Sequence, residues 1–406
     1  MVPNWEQMKK NNESIHITFT EECLKECPYC WVNHKKGQKM DSYTYGLVHT
    51  AIKGWIGTLD TDELYVIYYG GEPTLTPTMV MNSMKMLYKS VEKNKSIRKT
   101  QFVIMTTADT PGFYEIVDEL NSKPALANLK SRVTFIVSYD GPKAYGLYKN
   151  NLIGAIRAKE CGINVQILVL LSRYNIKYYR DIVDTLIEND LIYEMRNRID
   201  MEEKYYKEIE NDIYNGWEYL IDRCKIEMLL RNSLEKEDVW RYYPFNFMNA
   251  DNGAFHGIEW CGYGVNERHI NSSGYIMGCP RVSWAFENKD FFKDNGVYAK
   301  EVQHANDISN YMDNTDQLHQ VERFNSYIEE KVKNIMEEEG FEHYCVFCRE
   351  MYNNVFHDND ENLKAYIRIH ENRYKYRMKM LESMDEVPTV EELKKHTTWF
   401  RDPITE

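Results

Sequence analysis

Thr18-Phe19-Thr20-Glu21-Glu22-Cys23-Leu24-Lys25-Glu26-Cys27-Pro28-Tyr29-Cys30-Trp31 carries three cysteines at the spacing C-x3-C-x2-C. The run that leads into it, Ile15-His16-Ile17-Thr18-Phe19, alternates apolar and polar residues and reads as a strand feeding a loop. A cubane iron–sulfur cluster normally takes four thiolates. Three cysteines this close wrap three corners of such a cluster and leave the fourth iron open for a substrate or cofactor. No fourth cysteine follows locally. The plainer readings are a zinc site completed by a distant ligand such as His34, or three cysteines that are neighbours by chance. Zinc sites usually join a C-x2-C pair to a second pair, so this triplet fits them poorly.

Working outward, strand and helix signals alternate. Asp41 to Leu59 has helical apolar spacing, with Asp41-Ser42 as its cap. Glu63-Leu64-Tyr65-Val66-Ile67-Tyr68-Tyr69 reads as a buried strand and runs into Gly70-Gly71-Glu72-Pro73, where two glycines let backbone approach a ligand closely and the proline launches the next helix. By itself this is also a plain strand-to-helix turn. Further strands are expected at Gln101–Thr107, Arg132–Pro142, Ile163–Leu171 and Leu191–Asp200, with a helix over Leu152–Glu160. Strands alternating with helices imply a parallel sheet with right-handed crossovers, here an α/β fold of six βα units forming a partial TIM-like barrel. Ligands of such sheets bind at the carboxyl ends of the strands, so the strand-end loops share one mouth.

Beyond the barrel, Glu202 to Asn232 reads as one amphipathic helix with Tyr205, Ile209, Ile213, Trp217, Leu220 and Ile221 as its apolar stripe. Tyr242 to Gly257 is turn-rich and reads as a linker across the barrel mouth. Cys261, Gly274 and Cys279 then stand at C-x12-G-x4-C, with a hairpin turn at Asn271-Ser272-Ser273-Gly274, and Cys345 and Cys348 form a C-x2-C pair. Spacing alone leaves a complete cubane and a zinc ion equal as occupants of these four thiols. Cys161 and Cys224 read as core thiols. Glu361 to Met384 is a further charged helix, with Leu363, Tyr366, Ile367, Tyr374 and Met378 apolar. The expected division is barrel over 1–200, helix and linker over 201–257, a cysteine-rich hairpin-plus-helix domain over 258–350 and a helical segment over 351–406.

The 406 residues are 43% hydrophobic and 28% charged, an ordinary globular composition long enough for more than one domain. Fifty Lys and Arg against 63 Asp and Glu give a net charge of −13, which argues against broad nucleic-acid binding. There is no apolar run of membrane-span length and no signal-peptide core at Met1-Val2-Pro3-Asn4, so the expectation is a cytoplasmic chain without membrane contact. Nine cysteines, unevenly spaced, suit metal or cluster ligation better than paired disulfides.

The cysteine triplet and Gly70-Gly71-Glu72-Pro73 resemble the two leading motifs of the radical SAM superfamily, and Ser138-Tyr139-Asp140-Gly141-Pro142 with Cys261-x12-Gly274-x4-Cys279 resembles members carrying a SPASM or shortened twitch extension. The resemblance covers about 14–200 and 258–350. It implies a [4Fe-4S] cluster on Cys23, Cys27 and Cys30 whose open iron is chelated by S-adenosylmethionine, and one auxiliary [4Fe-4S] cluster on Cys261, Cys279, Cys345 and Cys348. It implies cofactor contacts from Tyr29, Gly70, Gly71, Glu72, Ser138, and Ser172 or Asn175. A cap or turn role is the equal alternative for the three polar side chains Ser138, Ser172 and Asn175. Two departures are visible: Thr106-Thr107-Ala108-Asp109 stands where many relatives have Thr-Asn-Gly, and the arginine often found after Ser-x-Asp-Gly is not evident, with Lys149 nearest. The chemistry implied is reductive cleavage to a 5′-deoxyadenosyl radical and hydrogen abstraction, most simply by an oxidoreductase-type peptide maturase fed by flavodoxin or ferredoxin. With only about fifteen residues before the first strand, no N-terminal leader-binding domain is expected, which weakens the peptide reading without removing it, since a separate protein could recruit the peptide, and keeps a small-molecule dehydrogenase or cyclase as the alternative. A zinc-stabilised binding protein is the alternative from another class. Arg196, Arg198 and Asp200, at the sixth strand's end, are the candidates for substrate contact or proton transfer. For an epimerase, Cys161 or Cys224 is the candidate hydrogen donor.

Overall fold

A computed structural model of the chain describes residues 12–27, 30, 37–141, 151–199, 205–231, 267–277, 303–304, 334–335, 337–338, 359–369, 372 and 376. The strands are β1 (Asn12–Ile17), β2 (Glu63–Tyr68), β3 (Lys99–Thr106), β4 (Val133–Ser138), β5 (Asn164–Leu171), β6 (Met195–Ile199), β7 (Glu267–Ile270), β8 (Tyr275–Met277) and β9 (Gln303–His304). They form one sheet in the order β6-β5-β4-β3-β2-β1-β7-β8-β9, parallel from β6 through β7 and antiparallel at β8 and β9. The long helices are α1 (Ser42–Thr58), α2 (Pro77–Val91), α3 (Pro111–Ser122), α4 (Asn151–Glu160), α5 (Tyr179–Glu188) and α6 (Tyr206–Arg231). This is the α/β partial barrel expected, with each successive strand from β1 to β6 laid beside the last.

The helix-facing residues of β2, β3 and β5 are buried, as a helix-covered parallel sheet requires, while the other face is part-buried. In β2, Leu64, Val66 and Tyr68 point to the helices and are fully buried. On the opposite, lumen face Ile67 joins Val103 and Ile136, lined by Tyr65, Tyr69, Met105 and Leu168. Between β2, α1 and α2 lies a polar chain: Tyr68 donates to Ser83 Oγ at 2.9 Å, and Ser83 Oγ meets His49 Nε2 at 2.7 Å. His49 Nδ1 lies 2.8 Å from the Tyr45 carbonyl, so Nδ1 carries the proton and Nε2 accepts. Burial holds this imidazole down at about 4.

Helix starts follow local chemistry. Asp41 caps α1 by accepting from Thr44 N at 2.7 Å, and Thr110 caps α3 by accepting from Phe113 N at 3.0 Å, with Pro111 at the first turn. The helix after β2 starts at Pro77 and not at Pro73, because Pro73–Leu75 closes as a single 3-10 turn capped by Glu72. The stripe of α6 is Tyr206, Ile209, Ile213, Trp217, Leu220 and Ile221, all buried, whereas Tyr205 is 37% exposed ahead of the first turn. The helical stretch over 360–369 packs along α6, with the Tyr206 and Tyr366 rings 5.0 Å apart and Arg368 forked onto Glu210 at 2.8 and 2.7 Å. β7 does not belong to a separate sheet. It pairs in parallel with β1 on the edge opposite β2, placing the hairpin beside the first cysteine loop. Residues 242–257, the expected linker, lie outside the described residues.

Candidate functional site

The cysteine loop leaves β1 at the carboxyl end of the sheet and is pinned at its base. Thr18 N donates to Ile270 O at 2.8 Å, Glu21 N to Gln38 O at 2.9 Å and Met40 N to Phe19 O at 2.8 Å, around an antiparallel bridge between Thr20 and Lys39. Within it Cys23, Cys27 and Cys30 form no disulfide among the described residues, each is half-buried, and Cys30 N donates to Cys27 O at 3.0 Å. Burial pushes the Cys23 thiol up to about 11, with Glu72 and Cys27 adding in the same direction. The backbone N–H groups of Lys25 and Leu24 work the other way. Such a thiol stays protonated until a cation displaces its proton, which is what metal or cluster ligation does. Among the described residues no three His, Cys, Asp or Glu side chains converge as they would on one ion. A cubane asks for a wider array, because each thiolate binds a different iron, and the donor set of three uncrosslinked thiols on one pinned loop fits it.

The end of β2 docks against this loop. Gly71 N donates to Thr20 O at 3.0 Å and Glu72 N to Glu22 O at 2.7 Å. A Cβ on Gly71 would lie 2.1 Å from Glu22 O, and Gly70, at φ +131°, has Thr18 Cγ2 2.4 Å from where its Cβ would be. The close approach that these glycines permit is therefore to the cysteine loop's own backbone. Glu72 turns inward and is buried. Its Oε1 accepts from Thr74 N at 3.0 Å, from the Thr74 hydroxyl and from Thr106 Oγ1 at 2.8 Å. Its Oε2 accepts from Thr107 N at 2.7 Å, with Thr107 Oγ1 at 2.9 Å.

Thr107 Oγ1 also lies 2.6 Å from Asp109 Oδ1 and has one proton to share between the two carboxylates. Asp109 Oδ2 pairs with Lys25 Nζ, which comes from the middle of the cysteine loop. Ala108, between them, takes φ +54° with its N–H on Thr106 Oγ1 at 3.0 Å. The Thr106-to-Asp109 departure noted in the sequence is thus a turn that ties the ends of β2 and β3 to the cysteine loop. From the other side, Ser272 donates to Glu21 Oε1 at 2.6 Å and Gln38 Nε2 to Ser273 Oγ at 2.6 Å, so the Asn271-to-Gly274 hairpin turn also rests on this loop.

Sequence reasoning missed a second cluster, on the lumen face between β1, β2 and β7. The register sets His16 opposite both Ile67 and His269, and Tyr69 stands nearby, with ring centroids 6.0 Å (His16–Tyr69), 6.4 Å (His16–His269) and 5.4 Å (Tyr69–His269). His269 is buried, its Nδ1 has no hydrogen-bond partner among the described residues, and burial together with neighbouring His16 holds its imidazole well below the ordinary range. The alternation Ile15-His16-Ile17 carried the signal for one member; nothing local pointed to β7 as its neighbour.

The remaining predicted residues divide. Ser138 ends β4 opposite Leu168, half-exposed, with its carbonyl accepting from Asn151 Nδ2 at 2.8 Å. Ser172 and Asn175 are fully buried and build the turn after β5: Asn175 Oδ1 accepts from Ser172 N at 2.9 Å and its Nδ2 donates to Leu170 O at 2.7 Å. Arg196 and Arg198 pair in register with Leu168 and Leu170. Cys161 is buried between α4 and β5, at the amino end of the strands, and so stands away from the mouth where the hydrogen donor of an epimerase is expected. Tyr29, Lys149, Asp200, Cys261, Cys279, Cys345 and Cys348 lie outside the described residues, as does the side chain of Cys224.

What fold and site define together is an α/β partial barrel with a thiol-bearing loop clamped over the carboxyl ends of its first strands. The same fold is found in solved structures that align over nearly the whole chain. A polyhistidine-tagged form of anSMEcpe with bound AdoMet matches at TM-score 0.60 and 14% identity, covering 95% of this chain and 97% of its own. Native anSMEcpe with bound AdoMet and Cp18Cys peptide matches at TM-score 0.60 and 15% identity, covering 92% and 99%. At these identities the likeness is one of fold. No family model matches the chain, and no curated protein matches it in sequence. Among the described residues no helix is long and apolar enough to cross a membrane.

Proposed function

We propose that this chain is a radical SAM enzyme that modifies a peptide. The observation that carries the reading is the loop of Cys23, Cys27 and Cys30, pinned at its base and docked on Gly70-Gly71-Glu72 at the mouth of a partial barrel. The shared fold of a protein that binds AdoMet, and binds it together with a peptide, supports it. Bound there, a [4Fe-4S] cluster with S-adenosylmethionine supplies reductive cleavage to a 5′-deoxyadenosyl radical, which takes a hydrogen atom from the substrate. The three thiolates hold three of the irons. Tyr29, Ser138 and the Gly70-Gly71 backbone are assigned to the nucleoside and the methionine end of the cofactor. Ser172 and Asn175 act indirectly, by fixing the turn beside it. Arg196, Arg198 and Asp200 are assigned to the peptide, and flavodoxin or ferredoxin to electron supply. Cys261, Cys279, Cys345 and Cys348 are assigned to an auxiliary [4Fe-4S] cluster of the SPASM or twitch kind.

Iron, sulfide and zinc analysis after anaerobic reconstitution tests the assignment. Two cubanes give about eight irons per chain, falling to about four in Cys23/Cys27/Cys30→Ala. A wild-type chain that takes up zinc and no iron overturns the reading in favour of a zinc-stabilised protein.

A further inference from the structure

Lys25 stands two residues from Cys23 and two from Cys27, and it is used twice. Its backbone N–H hydrogen-bonds the Cys23 sulfur, and its ammonium pairs with Asp109 at the exit of β3. The two side chains are 11% and 10% exposed, as buried as Arg268–Glu13 (14% and 7%) and more so than Lys85–Glu119 (31% and 24%) or Arg98–Asp62 (81% and 48%). Desolvating two charges costs about as much as their attraction returns, so a pair this buried adds little net stability and instead fixes a place. Asp109 is itself fixed: Thr107 Oγ1 lies 2.6 Å from Oδ1, leaving Oδ2 to the ammonium, and Ala108 holds the turn at φ +54°.

We infer that Lys25 and Asp109 are a positioning pair for the first cysteine loop, clamping the segment between Cys23 and Cys27 to the end of β3 and holding two opposite charges at fixed places beside that loop. The inference rests on the cluster reading above. Adding an electron to a cluster adds negative charge, so a nearby cation raises its reduction potential and a nearby anion lowers it. The two members of the pair therefore act with opposite sign.

The test is a redox titration of anaerobically reconstituted full-length protein, following the reduced-cluster EPR signal that S-adenosylmethionine perturbs. Lys25→Met is expected to shift the midpoint potential down, Asp109→Asn to shift it up, and the double variant to return towards wild type. Shifts of the same sign in both single variants, or no shift in either at full iron loading, would overturn the pair's role. Where a single variant fails to load, loss in both Lys25→Met and Asp109→Asn, with rescue by Lys25→Arg and a cluster-free chain that still unfolds cooperatively in each variant, supports the clamp. Loss that Lys25→Arg does not rescue overturns it. Wild type that binds no iron removes the cluster reading and this inference together; loaded wild type with unshifted variants removes the inference alone.

Discussion

Replacing Glu72 by Gln probes the knot that joins β2, β3 and the cysteine loop. The carboxylate accepts on Oε1 from Thr74 N, Thr74 Oγ1 and Thr106 Oγ1, and on Oε2 from Thr107 N and Thr107 Oγ1. A glutamine placing its oxygen at the Oε1 position keeps three acceptor bonds, each weakened by about 0.5–1 kcal/mol once the charge is gone. Its amide nitrogen then faces Thr107 N, 2.7 Å from the former oxygen, donor against donor. A buried donor left unmade costs about 1–3 kcal/mol. The Thr107 hydroxyl can rotate to accept, and a neutral side chain is cheaper to bury, which offsets part of the sum. The expected loss is about 2–4 kcal/mol, read by urea unfolding of cluster-free protein in a Cys23/Cys27/Cys30→Ala background, so that cluster loss does not enter the transition. A loss below about 1 kcal/mol would refute the reasoning, because it would mean that these five contacts are not what holds the strand ends together.

Three further outcomes are expected. His49, held down to about 4 from an ordinary 6.5, stays neutral in the fold while the unfolded chain protonates, so its contribution is present above pH 6.5 and is lost as pH falls towards 4, by at most about 3 kcal/mol. Urea unfolding at pH 7.5 and 5 should show that slope, flattened in His49→Leu and partly retained through His269, whose imidazole is lowered in the same direction. Gly71→Ala places a methyl 2.1 Å from Glu22 O, so iron content should fall from about eight towards about four per chain while the chain still unfolds cooperatively; wild-type loading would contradict the docking described. Asn175→Ala removes bonds to Ser172 N and Leu170 O and should cost about 2–3 kcal/mol with little change in S-adenosylmethionine affinity of the folded protein, measured by equilibrium binding; lost affinity at unchanged stability would return Asn175 to direct cofactor contact.

Where chemistry is local, the sequence was readable to within a residue or two. The Asp41 cap, the run Glu63 to Tyr68 and the strand ending at Leu171 each follow from neighbours along the chain. Tyr205 in place of Tyr206 was a one-residue error of phase in a helix rich in tyrosine, and Pro73 in place of Pro77 arose because a 3-10 turn and a helix start share the same proline signal. Long-range pairings were illegible for a different reason. Hairpin spacing around Asn271-Ser272-Ser273-Gly274 says that two strands meet, but not that β7 would also lie along β1. Likewise Lys25 and Asp109, 84 residues apart, carry no local mark of being partners. The glycines before Glu72 were legible as a close approach, and only the fold shows that what approaches is the cysteine loop.

The most direct measurement is 5′-deoxyadenosine production, followed by mass spectrometry, when anaerobically reconstituted protein is given S-adenosylmethionine and dithionite. Wild type is expected to give 5′-deoxyadenosine and methionine in equal amounts, and Cys23/Cys27/Cys30→Ala none. Iron-loaded wild type that leaves S-adenosylmethionine intact, or a triple variant that cleaves it as fast as wild type, would contradict the account.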